Sequence, residues 1–104
     1  MTSLLAKDHD LVLHNESDAL DVMSAGLPAA IFQPSDLHPD FFELSNQIAG
    51  NVLQKFVNYH FRVAIIVADN HAYGVRVTEL IRDHQRHPTV RFFPTIDDAY
   101  EWLT

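Results

Sequence analysis

Cysteine is absent from the 104 residues. That excludes disulfides, thiolate metal sites and a cysteine nucleophile, and it fits a reducing compartment. Glycine occurs only at 26, 50 and 74, a spacing from which no phosphate-cradling loop or dinucleotide fingerprint can be built. Neither Ser24 nor Ser45 has the glycines on both sides that expose a nucleophilic serine on a sharp turn. Cations are scarce, with 7 Lys and Arg against 14 Asp and Glu for a formal charge of −7. This balance opposes the counterion-releasing contacts that hold a phosphate backbone, so no nucleic-acid partner is expected. Nowhere do eighteen apolar residues run together, and Met1-Thr2-Ser3-Leu4-Leu5-Ala6-Lys7-Asp8 has no basic region ahead of its short apolar run. Neither a membrane partner nor an export signal is expected, and the expected location is cytoplasmic.

What is present is an ordinary globular composition: 47% of the residues are apolar and 20% charged, enough for one hydrophobic core. A chain of this length is too short for two, so residues 1–104 are read as a single domain. Seven histidines add positive charge below about pH 6.5.

Along the chain, apolar runs alternate with helical patterns. Leu4-Leu5-Ala6 and Leu11-Val12-Leu13, separated by Lys7-Asp8-His9-Asp10, read as a β-hairpin or a bent edge strand. Asn15 or Ser17 caps a short helix with Ala19, Leu20, Val22 and Met23, which ends at Gly26 ahead of Pro28. Ala29-Ala30-Ile31-Phe32 is a brief strand closed by Pro34. From Ser35 to His60 the spacing of Phe41, Leu44, Ile48, Val52 and Phe56 predicts one long amphipathic helix. Gly50 within it suggests a close approach to a neighbouring backbone. Arg62-Val63-Ala64-Ile65-Ile66-Val67-Ala68 holds six consecutive apolar residues without alternation, the pattern of a strand covered on both faces and hence central. A polar loop, 69–74, leads into a helix in which Val77, Leu80, Ile81 and His84 share a face, and Pro88 marks its end. Val90-Arg91-Phe92-Phe93 is the last strand, and Thr95 with Asp98 opens a final helix carrying Ile96, Ala99, Tyr100 and Leu103. The expected fold class is α/β: about four to five mainly parallel strands alternating with four helices.

Several of these stretches together resemble one bacterial family. Phe41-Phe42-Glu43-Leu44, Ala49-Gly50, Leu53-Gln54-Lys55-Phe56-Val57-Asn58-Tyr59 and Val63-Ala64-Ile65-Ile66-Val67 are similar to the core of the uncharacterised proteins called domain of unknown function 4180. Asp18-Ala19-Leu20-Asp21 and Asp98-Ala99 with Leu103 extend the likeness from about residue 11 to the end. The resemblance implies a compact α/β fold, similar to the STAS domains of anti-sigma factor antagonists, and implies no established activity. The chain departs from the family where hydroxyl residues are usual after the central strand: it has Tyr73-Gly74 there, and the next helix ends Asp83-His84-Gln85.

Ligands of open α/β sheets gather beyond the carboxyl ends of the strands, which directs attention to the loop after the central strand. Asp69, Asn70, His71 and Tyr73 offer a carboxylate, an amide, an imidazole and a phenol for proton transfer or for a polar ligand. The same Asp and Asn also make turns and cap helices, and that plainer role is the favoured one. Lys55, Asn58 and Tyr59, with Gln54, cluster at the end of the long helix and form a second binding candidate beside that loop, although helix-dipole stabilisation accounts for Lys55. His84 and His87 share a helical spacing but are only two ligands, so no metal site and no cofactor are expected. Asp97 and Asp98 are first-turn helix charges, and Phe92, Phe93 and Trp102 are core residues rather than a base-stacking platform. Three functional readings follow. The first is a non-enzymatic regulatory or protein-binding module using loop 69–74 and the adjoining helix end as its contact surface. The second is a small enzyme or ligand-binding protein with a pocket near Asp69, His71 and Tyr73. The third is a homodimer paired through exposed apolar residues.

Overall fold

In the computed structural model, residues 3–69 and 71–104 are described. Three strands form one parallel sheet in the order β1 (Ala29–Phe32), β2 (Arg62–Ile66), β3 (Val90–Phe93). The helices are α1 (Glu16–Met23), α2 (Ile48–Asn58), α3 (Val75–Asp83) and α4 (Ile96–Leu103). The central position of β2 matches its sequence pattern, since Val63, Ala64 and Ile65 are fully buried. Its side chains alternate between two apolar layers. Val63, Ile65 and Val67 join Ala30, Phe32 and Val90 beneath α2 and α3, while Ala64 and Ile66 join Ile31 beneath α4. The two crossover helices, α2 and α3, thus lie on one face, as successive parallel crossovers of one hand require. α1 lies against α2, tied by a 3.7 Å ion pair between Glu16 and Lys55.

The first and last helices start as their caps dictate. The Asn15 side chain accepts the Asp18 N–H at 3.1 Å, and the Thr95 hydroxyl accepts the Asp98 N–H at 3.2 Å. α4 closes the second face with Ala99 buried against the sheet. Its end is held by Trp102, whose ring carries the guanidiniums of Arg62 and Arg91 at 4.6 and 4.8 Å. Arg62 also donates to the Trp102 carbonyl, a favourable place for a cation at a helix C-terminus.

Three expectations are corrected. The sheet has three strands among the described residues, not four to five, because the two N-terminal apolar runs do not pair with each other. A 3-10 turn, Ala6–His9, ends in left-handed Asp10 and sends the runs apart. Leu5 bridges Ile31 beside β1, and Leu13 bridges Leu37. Ala6 and Leu13 are fully buried, so these runs fill the core without forming a hairpin.

The second correction is the helix expected over 35–60, of which only α2 is α-helical. Its first part is a 3-10 turn (Pro34–Asp36), an extended Leu37, turns over 39–42 and another 3-10 turn (Leu44–Asn46). The Asp36 carbonyl accepts the Leu13 N–H at 2.8 Å, and the Leu13 carbonyl accepts the His38 N–H at 2.9 Å. Those bonds hold Leu37 extended, Pro39 disfavours a helical His38, and Gln47 enters α2 from the left-handed region at φ 65°. Phe41 and Leu44 therefore reach the core from separate turns rather than from one stripe.

The third correction concerns Gly50, which faces open space: a Cβ built there meets nothing within 4 Å. No neighbouring backbone among the described residues comes that near. Gly50→Ala is accordingly expected to stabilise the chain by about 0.5–1 kcal/mol through helix propensity alone, read as a rise in the urea midpoint at unchanged slope.

Candidate functional site

The carboxyl edge of the sheet gathers the segments that leave β1, β2 and β3. After β2 the chain turns at Asp69. Its Oδ1 accepts the His71 backbone N–H at 2.9 Å, and its carbonyl accepts the Ala72 N–H at 3.1 Å. One carboxylate oxygen is thereby committed to shaping the turn, in the manner of an Asx turn. The His71 side chain is exposed, and Asn70 lies outside the described residues.

The loop's side chains divide between two places. Asp69 and His71 line a hollow of about 460 Å³ between α3 and β3, floored by Ile81 and Phe92 and flanked by Gln85. Tyr73 turns the other way and stacks on Phe42, with centroids 4.3 Å apart and ring planes 28° from parallel. Phe42 meets the fully buried Phe41 edge-on at 5.3 Å, so a train of three rings runs from core to surface. Tyr73 is 40% exposed and Val75, just beyond it, 74% exposed. Shallow hollows of about 200 and 260 Å³ flank the pair, each lined by Phe42, Glu43 and Tyr73.

Lys55, Asn58 and Tyr59 do not join this surface. They end α2, which runs back along the sheet to the opposite, amino edge where β2 begins. Lys55 pairs with Glu16, and the Asn58 Oδ1 accepts the Gln54 Nε2 at 2.8 Å. Tyr59 is 62% exposed at that far edge.

The His84 and His87 rings lie 5.0 Å apart. His84 Nδ1 faces the Leu80 carbonyl at 2.8 Å and therefore carries its proton there. His87 Nδ1 accepts the backbone N–H groups of Thr89 and Val90, each at 3.0 Å, so it is bare and the proton sits on Nε2. A metal on Nε2 would need a proton on Nδ1, where two donors already point. Burial first, then His84 and Arg91, hold the His87 pKa below the ordinary histidine value. Among the described residues no group of three or more His, Asp or Glu is arranged to hold a metal ion.

Phe42, Gln85 and Phe92 are site residues that pattern reading misses. Phe42 is hidden in the apparent long helix, and no local signal frees it, because Pro39 is compatible with the first turn of a helix that would still contain it. Phe92 sits on a strand at the sheet's margin, a position that no residue pattern reveals.

A small α/β domain with a three-stranded parallel sheet, carrying an aromatic surface and an adjoining hollow at its carboxyl edge, is the class this structure defines. Residues 2–103 match the profile of the family described as Domain of unknown function (DUF4180), and the chain belongs to that family. No curated protein and no solved structure shows significant similarity to it. No helix among the described residues is long and apolar enough to cross a membrane.

Proposed function

We propose that this chain is a non-enzymatic regulatory module of a bacterial cytoplasm that docks a protein partner at the carboxyl edge of its sheet. The observation that carries the reading is the Phe42–Tyr73 stack with Val75 beside it: apolar and aromatic groups held outward on the buried ring of Phe41. Exposed aromatic groups anchored in this way are the usual centres of protein–protein contacts. The net charge of −7 turns the choice of partner away from nucleic acid. The regulatory part of the reading leans on the likeness to STAS domains. The loop has no serine to phosphorylate in the STAS manner, so control here acts through contact alone.

A second reading places a small polar ligand in the hollow lined by Asp69, His71 and Gln85. It is the weaker one, because an Asp69 oxygen is already used by the turn. Affinity chromatography from native lysate with quantitative mass spectrometry separates the two. Tyr73→Ala and Val75→Ser are expected to leave the thermal midpoint unchanged and to lower recovery of the wild-type partner by about tenfold or more, the scale of an interface hot spot. A partner retained equally by both variants, or no specific partner at all, rejects docking at this edge.

A further inference from the structure

We propose that His87 is a proton-operated latch on the free edge of the sheet, closed while its ring is neutral and opened by mild acid. Among the described residues β3 is an outermost strand with β2 on one side only. The Thr89 and Phe93 carbonyls accept the N–H groups of Val63 and Val67, at 2.8 and 2.9 Å, so the odd-numbered residues face β2 and Val90 faces outward. An outward N–H on an edge strand is an open template for another chain. Here it is covered from within, because one ring nitrogen accepts from both Val90 and Thr89. Both residues are buried, at 0% and 5% exposure, so water is poorly placed to take over when the ring leaves.

Protonation turns Nδ1 from acceptor into donor, opposite two donors, and both bonds are lost together. The titratable and charged groups facing the ring are His84 at the end of α3 and Arg91 in β3, whose Nε donates to the His87 carbonyl at 2.7 Å. Burial first, then these two groups, oppose a positive charge on the ring, so the folded chain keeps His87 neutral where an unfolded chain already binds the proton. The latch's contribution is complete above about pH 6.5 and is lost as pH falls through the lower value of the folded chain. Opening leaves both N–H groups without their acceptor, and that of Val90 lies on the outer side of β3.

The test is amide hydrogen exchange followed by NMR at about pH 7.5 and about pH 5, expressed as protection factors so that the intrinsic pH dependence of exchange cancels. In the wild-type chain, protection at Thr89 and Val90 is expected to fall about tenfold, while that of Ile31, bonded to the Leu4 carbonyl, holds. His87→Asn keeps an acceptor that cannot titrate and is expected to remove the fall. Flat protection in the wild type, or an equal fall in the variant, overturns the latch. Should that variant fail to fold, the wild-type ring nitrogen titration decides. A His87 midpoint below about 6.5 that coincides with loss of the Thr89 and Val90 signals supports the proposal, and one at or above that value contradicts it.

Discussion

Ala64→Asp and Ile65→Asp are each expected to abolish cooperative folding, although the two residues are neighbours whose side chains point in opposite directions. In a strand with one wet face, one of the two would be tolerated. Here Ala64 lies beneath α4 and Ile65 beneath α2 and α3, both fully buried. A carboxylate at either place has no partner and no water, a cost of several kcal/mol against a total stability of about 5–15 kcal/mol. Circular dichroism with thermal melting reads the outcome. A well-folded chain carrying Asp at either position would mean that one face of β2 is open.

Phe56→Ala is expected to lower stability by about 3–5 kcal/mol, the loss that follows truncation of a large ring enclosed on all sides. The ring is fully buried, tilted against Phe32 at 6.3 Å and against Phe61 at 5.8 Å. It thus links β1, α2 and the connection into β2. Removing it leaves a cavity among residues fixed by the sheet, which cannot close over it. Urea unfolding should show a lower midpoint at an unchanged slope. A loss below about 1 kcal/mol would mean that α2 does not seat Phe56 in the core.

The elements legible in the sequence are those whose partners are local or whose pattern is unambiguous. β2 announces itself by an unbroken apolar run that only a doubly covered strand needs, and α4 by Thr95 and Asp98, a cap complete within four residues. Residues 35–47 mislead because their periodicity is real while their helix is not: Phe41 and Leu44 are three apart, yet long-range bonds between Leu13 and the 36–38 segment hold Leu37 extended and the residues after it form separate turns. The N-terminal runs mislead in the same way, since Leu5 and Leu13 find partners at Ile31 and Leu37, residues far along the chain. Local pattern carries no trace of such pairings.

The candidate site is legible by its location and less so by its composition. The rule that points beyond the carboxyl end of β2 finds Asp69, His71 and Tyr73, and the structure seats Asp69 and His71 in one hollow. It cannot foresee that Tyr73 leaves them for Phe42, because that stack depends on where the turn after Pro39 lands. Grouping Lys55, Asn58 and Tyr59 with the loop fails for a simple geometric reason. A crossover helix runs antiparallel to its strands, so its end lies at the edge opposite the loop.

Tyr59 and Tyr73 provide the most direct test, since they are the same residue type, both exposed, at opposite edges of one sheet. Each is replaced in turn by a photoreactive phenylalanine analogue, and the chain is irradiated in its native cellular setting. A defined covalent adduct with a partner protein from position 73, and none from position 59, is the expected result. Adducts from 59 alone, or from neither, would contradict docking at the carboxyl edge.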